Sequence, residues 1–96
     1  MKIIVKGYFT LQKAMQGQSL VEVEKDTASV RDILVDLCDR FGKDLKALIQ
    51  PLDGEEPLRH LIVLVNGRNS QTLPGRLETP LKDGDEIALF PPMMGG

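Results

Sequence analysis

A single cysteine, Cys38, leaves the chain no partner for an internal disulfide. It also rules out the four-thiolate iron–sulfur clusters of ferredoxins. The one histidine, His60, has no cysteine or second histidine at ligand spacing, so zinc and haem sites are not expected. The glycines form neither a dinucleotide fingerprint nor a P-loop, so any ATP has to come from elsewhere. Lys and Arg never form a run and the formal net charge is only −2, which argues against a nucleic-acid partner. No apolar run is long enough to span a membrane. Met1-Lys2-Ile3-Ile4-Val5-Lys6 returns to charge too soon for a secretory h-region. The expectation is one small, soluble, cytoplasmic domain of 96 residues with a single core.

What the chain does have is an unusual end, Pro91-Pro92-Met93-Met94-Gly95-Gly96. Two prolines bias the backbone toward an extended path of about 3.1 Å per residue. A diglycine stays mobile, because glycine loses the most backbone freedom on ordering. The expected result is a stiff stem with a threadable tip. The terminal carboxylate, with an ordinary pKa of about 3.3–3.7, is ionised at neutral pH. It is a poor acyl donor but a competent oxygen nucleophile toward phosphorus. Activated by another enzyme's ATP, it becomes a mixed anhydride open to sulfur or amine nucleophiles. Gly96 leaves that carbonyl sterically open, and Gly95 suits a narrow channel. The bland alternative is a frayed end.

Ahead of this stem the pattern changes period twice. Ile3, Val5, Gly7 and Phe9 alternate with Lys2, Ile4, Lys6 and Tyr8, which predicts a strand. Leu20 to Lys25 alternates again, so the pair is read as an antiparallel hairpin around a connector in which Leu11, Ala14 and Met15 could form one turn. Val30, Ile33, Leu34, Leu37, Cys38 and Phe41 fall on one helical stripe. Ser29 and Asp32 stand where a capping box belongs, and Gly42 where the helix should stop. Leu45, Leu48 and Ile49 suggest a second short helix before Pro51, and Asp53-Gly54-Glu55-Glu56-Pro57 a surface loop. His60 to Val65 is an apolar strand reversed by Asn66-Gly67. Arg68 to Leu73 is a weak strand, Leu77 to Lys82 irregular or a single turn, and Asp85 to Phe90 the last strand. The order predicts an α+β fold: a mixed sheet of about four to five strands under one main helix. The first and last strands form its parallel central pair, the β-grasp arrangement. Residues 1–92 are assigned to this domain and 93–96 to a flexible diglycine tail.

Val65-Asn66-Gly67, then Thr79-Pro80-Leu81-Lys82-Asp83-Gly84-Asp85-Glu86-Ile87-Ala88-Leu89-Phe90-Pro91-Pro92, ending in Gly95-Gly96, resembles the MoaD/ThiS family of ubiquitin-like sulfur carriers. The resemblance extends over nearly the whole chain. It implies a carrier that is not itself an enzyme and binds no cofactor. Gly96 would be adenylated by an E1-like (MoeB/ThiF-like) enzyme that uses ATP, then converted by a sulfur donor to a thiocarboxylate. The MoaD branch implies insertion of the tail into the large subunit of molybdopterin synthase (MoaE-like), with Gly95 lining its channel. Met93-Met94 and the long Ile49–His60 insert depart from minimal members, and the insert is similar to that of carriers feeding cysteine synthesis. Thiazole or cysteine synthesis, or conjugation to protein lysines, are the alternatives.

An unbroken apolar strand cannot hide both faces beneath one helix. Either Leu61, Val63 and Val65, or Ile62 and Leu64, therefore face away from it, and Phe90 and Ala88 share that ambiguity. An apolar outer face beside the tail exit would dock a partner, and Val63, Phe90, Pro92, Met94 and Gly95 are the partner-binding residues expected. The competing account has the Asp53 loop covering it. Cys38, on the helix stripe, reads as core packing. The carboxylates of Glu22-Glu24-Asp26 and Asp83-Asp85-Glu86 read as a solvated face.

Overall fold

Helix α2 (Val30–Phe41) is where local chemistry and tertiary packing agree most closely. In the computed structural model, which describes residues 1–49 and 61–91, its N-terminus closes as a reciprocal capping box. The Asp32 N–H donates to Ser29 Oγ at 3.2 Å, and the Ser29 N–H donates to Asp32 Oδ2 at 2.9 Å. Two amides that the helix cannot satisfy are thereby paired. At the other end the Gly42 N–H donates to the Cys38 carbonyl at 2.9 Å, with Gly42 at φ 89°. Val30, Ile33, Leu34, Leu37 and Cys38 are buried beneath this helix, as the stripe predicts.

That cap has a pH signature. The Asp32 carboxyl is held below its usual 3.8, chiefly by the Ser29 N–H. A depressed carboxyl pKa stabilises the fold above the unfolded value, and the stability is lost as pH falls through the folded value. The loss therefore lies below about pH 4, and Asp32→Asn should flatten the acid limb of the unfolding curve there. Ser29→Ala should cost about 0.5–2 kcal/mol at neutral pH, read as a lower midpoint in urea with unchanged slope.

The sheet beneath α2 has five strands: β1 (Lys2–Gly7), β2 (Leu20–Glu24), β3 (Ile62–Val65), β4 (Arg68–Asn69) and β5 (Glu86–Phe90), in the order β2-β1-β5-β3-β4. β1 and β5 are parallel, with Val5 opposite Ile87 and Gly7 opposite Leu89. β1 and β2 form the antiparallel hairpin, and β3 runs antiparallel to β5 with Val63 opposite Leu89. This is the expected β-grasp, with β5 central and both its neighbours hydrogen-bonded. Ile3, Val5, Ile87 and Leu89 have no exposed surface and join α2's stripe in one core. Two short helices, α1 (Thr10–Ala14) and α3 (Lys43–Ile49), add Leu11 and Leu45 with Ile49 to it.

Three details depart from expectation. The first strand stops at Gly7, and Phe9, which continues the alternation of Ile3, Val5 and Gly7 in the sequence, turns outward with 72 % of its surface exposed. α1 packs across the strand's end, placing Met15 Sδ 2.5 Å from where a Cβ on residue 7 would sit. A side chain at residue 7 would require the Met15 thioether to move aside. β4 covers two residues rather than six, because local bonds divert the chain into a 3-10 turn over Ser70–Thr72. Asn69 Oδ1 accepts from the Gln71 N–H at 2.9 Å, and Thr72 Oγ1 donates to the Asn69 carbonyl at 2.7 Å. Finally, Leu61, Val63 and Val65 are the core side of the third strand, and Val63 is only 2 % exposed. The Asp53 loop, His60 and Pro51 lie outside the described residues.

Candidate functional site

The outer face of the sheet follows from register. With Val63 paired to Leu89 on the core side, the alternate pairs Ile62–Phe90 and Leu64–Ala88 lie on the face away from α2. These four residues are half-buried. Tyr8 completes the strip: its ring stacks on Phe90 with centroids 4.4 Å apart and planes 2° from parallel. Its N–H donates to the Leu89 carbonyl at 3.0 Å, extending the parallel ladder one residue past the end of β1. On the next row Lys6 lies opposite Ala88 and pairs with Glu86, whose carboxylate raises the ammonium pKa through a hydrogen bond and its charge.

Phe90, expected to meet a partner, is therefore on an outer apolar strip that ends beside Pro91. Val63 is not: it belongs to the core, because its register with Leu89 turns it toward the helix. Ile62, Leu64 and Tyr8 are the strip residues that sequence reasoning left undecided or missed. The alternation of Tyr8 with Ile3, Val5 and Gly7 was its only trace in the sequence. Pro92, Met94, Gly95 and Gly96 lie outside the described residues.

The turn feeding β5 is a knot of short bonds. Lys82 N–H donates to Asp85 Oδ2 at 2.7 Å, and Lys2 N–H donates to Asp83 Oδ1 at 2.7 Å. Asn66, at φ 51°, donates through Nδ2 to Asp85 Oδ1 at 3.0 Å and accepts at Oδ1 from the Glu86 N–H at 2.9 Å. The Val-Asn-Gly and Leu-Lys-Asp-Gly-Asp-Glu segments, 14 residues apart in sequence from Gly67 to Leu81, thus meet at one point. They set where β5 starts, and so where it ends and releases the stem. Asp83 and Asp85 act as backbone acceptors here, which gives them a structural task rather than a merely solvated one.

Cys38 is buried in the core, and burial pushes its thiol up, away from the thiolate a sulfur relay would need. Among the described residues no group of three or more His, Cys, Asp or Glu could hold a metal. No described helix is long and apolar enough to cross a membrane.

Comparison with known proteins agrees with this geometry. The "Putative sulfur carrier protein" of Archaeoglobus fulgidus is 34% identical over 81 residues, covering 83% of this chain and 88% of its own length. Small archaeal modifier protein 3 of Haloferax volcanii is 34% identical over 97 residues, covering both chains in full. Among solved structures, small archaeal modifier protein 1 from Methanosarcina acetivorans superposes with a TM-score of 0.77 at 29% identity, over 99% of this chain and 96% of that one. The Amycolatopsis orientalis BexX/CysO complex gives 0.74 at 31% identity, over 98% and 99%. The "Putative molybdopterin converting factor, subunit 1" of Pyrococcus furiosus gives 0.76 at 26%, over 97% and 99%. With β5 at the centre of a five-stranded sheet, and a match of the ThiS family model over residues 7–96, this chain belongs to the ThiS family, among small ubiquitin-like sulfur carriers and modifiers.

Proposed function

We propose that the chain is a sulfur carrier whose Gly96 carboxylate is adenylated by an E1-like (MoeB/ThiF-like) enzyme. The observation that carries this reading is the anchoring of β5. β5 is held on both edges, its inward side chains are fully buried, and it runs directly into Pro91. A rigid base for a short reactive tail reduces the entropy lost when a partner positions it.

A carboxylate oxygen of Gly96 attacks the α-phosphorus of the partner's ATP, forming the acyl-adenylate and releasing pyrophosphate. The terminal sulfur of a persulfide donor then attacks the acyl carbon and displaces AMP. A second thiol cleaves the resulting acyl disulfide, leaving as a disulfide with the donor's inner sulfur and freeing the terminal thiocarboxylate. The outer strip of Tyr8, Ile62, Leu64, Ala88 and Phe90 is the surface on which the enzymes handling the tail dock, with Pro92, Met94 and Gly95 following into the channel. Molybdopterin synthesis, through a MoaE-like large subunit, is the destination we favour, supported by the likeness to the Pyrococcus furiosus converting-factor structure. The full-length similarity to a small archaeal modifier protein favours one second reading, conjugation of the same activated terminus to lysines.

Intact mass of the protein from its native host tests the proposal. The expected result is a fraction heavier by the replacement of one oxygen with sulfur, mapped to the C-terminal peptide. Isopeptide-linked adducts on other proteins, with no thiocarboxylate, would replace the carrier reading by the modifier one.

A further inference from the structure

The turn between β1 and α1 carries an aromatic side chain where folding alone would not place one. Phe9 has φ 55° and ψ −122°, the dihedrals of the first central position of a type II′ turn, and the Leu11 N–H closes that turn onto the Tyr8 carbonyl at 3.0 Å. Glycine is the residue that adopts this conformation without strain. Phenylalanine there is strained, and its ring is 72 % exposed, so the fold gains from it neither backbone ease nor burial. Strain kept together with an exposed aromatic marks a place where something outside the fold uses the side chain. Beside the ring lies an open groove of about 440 Å³ lined by Phe9, Thr10, Gln12, Lys13 and Gly17.

We propose that Phe9 and this groove are a second anchor for the enzyme that adenylates the terminus, distinct from the flat outer strip. The proposal rests on the terminal-carboxylate reading. Tyr8 is ladder-bonded to Leu89 and stacked on Phe90, and Phe9 is the next residue, so its backbone lies within about 10 Å of the end of β5. Five residues follow Pro91 and span at most about 18 Å when extended. An enzyme that brings Gly96 to its ATP site over so short a tether must press its surface against the rim of the exit. The Phe9 turn is on that rim. The groove is apolar at the ring and cationic at Lys13, so its complement is an apolar side chain flanked by a carboxylate. The activating enzyme is the occupant because activation precedes every fate of the terminus, whether sulfur transfer or conjugation.

The test uses the full chain, an E1-like adenylating enzyme and ATP, with pyrophosphate release and thermal unfolding as readouts. Phe9→Gly removes both strain and ring. Its thermal midpoint should hold or rise by a few degrees, while KM for the carrier rises at least tenfold and kcat stays within about twofold. Phe9→Asn, which also tolerates positive φ, should lose affinity in the same way, and Phe9→Tyr should restore it. An unchanged KM in Phe9→Gly, with the wild-type chain active, overturns the Phe9 assignment alone. A wild-type chain that releases no pyrophosphate overturns the terminal-carboxylate reading and the anchor with it.

Discussion

A chain lacking only Gly96 should be activated by the E1-like enzyme at least about 10²-fold more slowly in kcat/KM, with an unchanged thermal midpoint. The deletion is informative because it alters so little chemistry. The new terminus is Gly95, again a glycine and again a carboxylate, so the nucleophile and its steric openness survive. What changes is reach. The stem leaves a strand held from both sides, and removing one residue draws the carboxylate back by about 3.3–3.6 Å. Reacting atoms need to approach within about 3–3.5 Å in line, so a displacement of that size separates them. Stability should not follow, because the buried core among the described residues reaches no further than Leu89. Pyrophosphate release and thermal unfolding on the same two samples decide the matter. Equal activation of both chains would mean that the second glycine is incidental and that reach does not limit activation.

Legibility of the fold tracked how local its causes are. α2 could be bounded to the residue because its limits are set within a few positions by Ser29, Asp32 and Gly42. The Asn66-Gly67 reversal was equally plain, both residues having positive φ. The third strand was not legible in the same way. Leu61 to Val65 is apolar throughout, so alternation says nothing about which side faces the core. That choice is made by pairing with Leu89, more than twenty residues away. Val63, expected to meet a partner, therefore belongs to the core, while Phe90, whose face the pattern left equally open, lies on the outer face. Phe9 misled for a related reason. The two-residue spacing it shares with Ile3, Val5 and Gly7 continues past Gly7, where β1 ends and the chain turns at Phe9 with positive φ. That one face of this strand must be an apolar outer face could be deduced from an excess of apolar residues, but its membership depended on register.

That register predicts opposite consequences at two adjacent positions. Leu89→Ala should cost about 2–5 kcal/mol, because Leu89 is fully buried on the central strand between Gly7 and Val63. In a domain of this size that lowers the thermal midpoint by roughly 10–30 °C, and activity falls because folded protein is lost. Phe90→Ser should behave differently. Its ring is half-buried on the outer face, and its loss removes the Tyr8 stack, worth about 0.5–1.5 kcal/mol. The variant should therefore stay folded near the wild-type midpoint while affinity for the activating enzyme drops about 10–100-fold, as for an aromatic near the centre of an interface. Calorimetry for stability and titration of the folded fraction for binding separate the two effects. If Phe90→Ser bound the enzyme as well as wild type does, the strip would be ordinary sheet surface, and the Phe9 rim with the tail would have to supply recognition alone. If instead Phe90→Ser unfolded as readily as Leu89→Ala, the outer face would be a second core covered within the chain, and no partner would be needed to explain its apolar character.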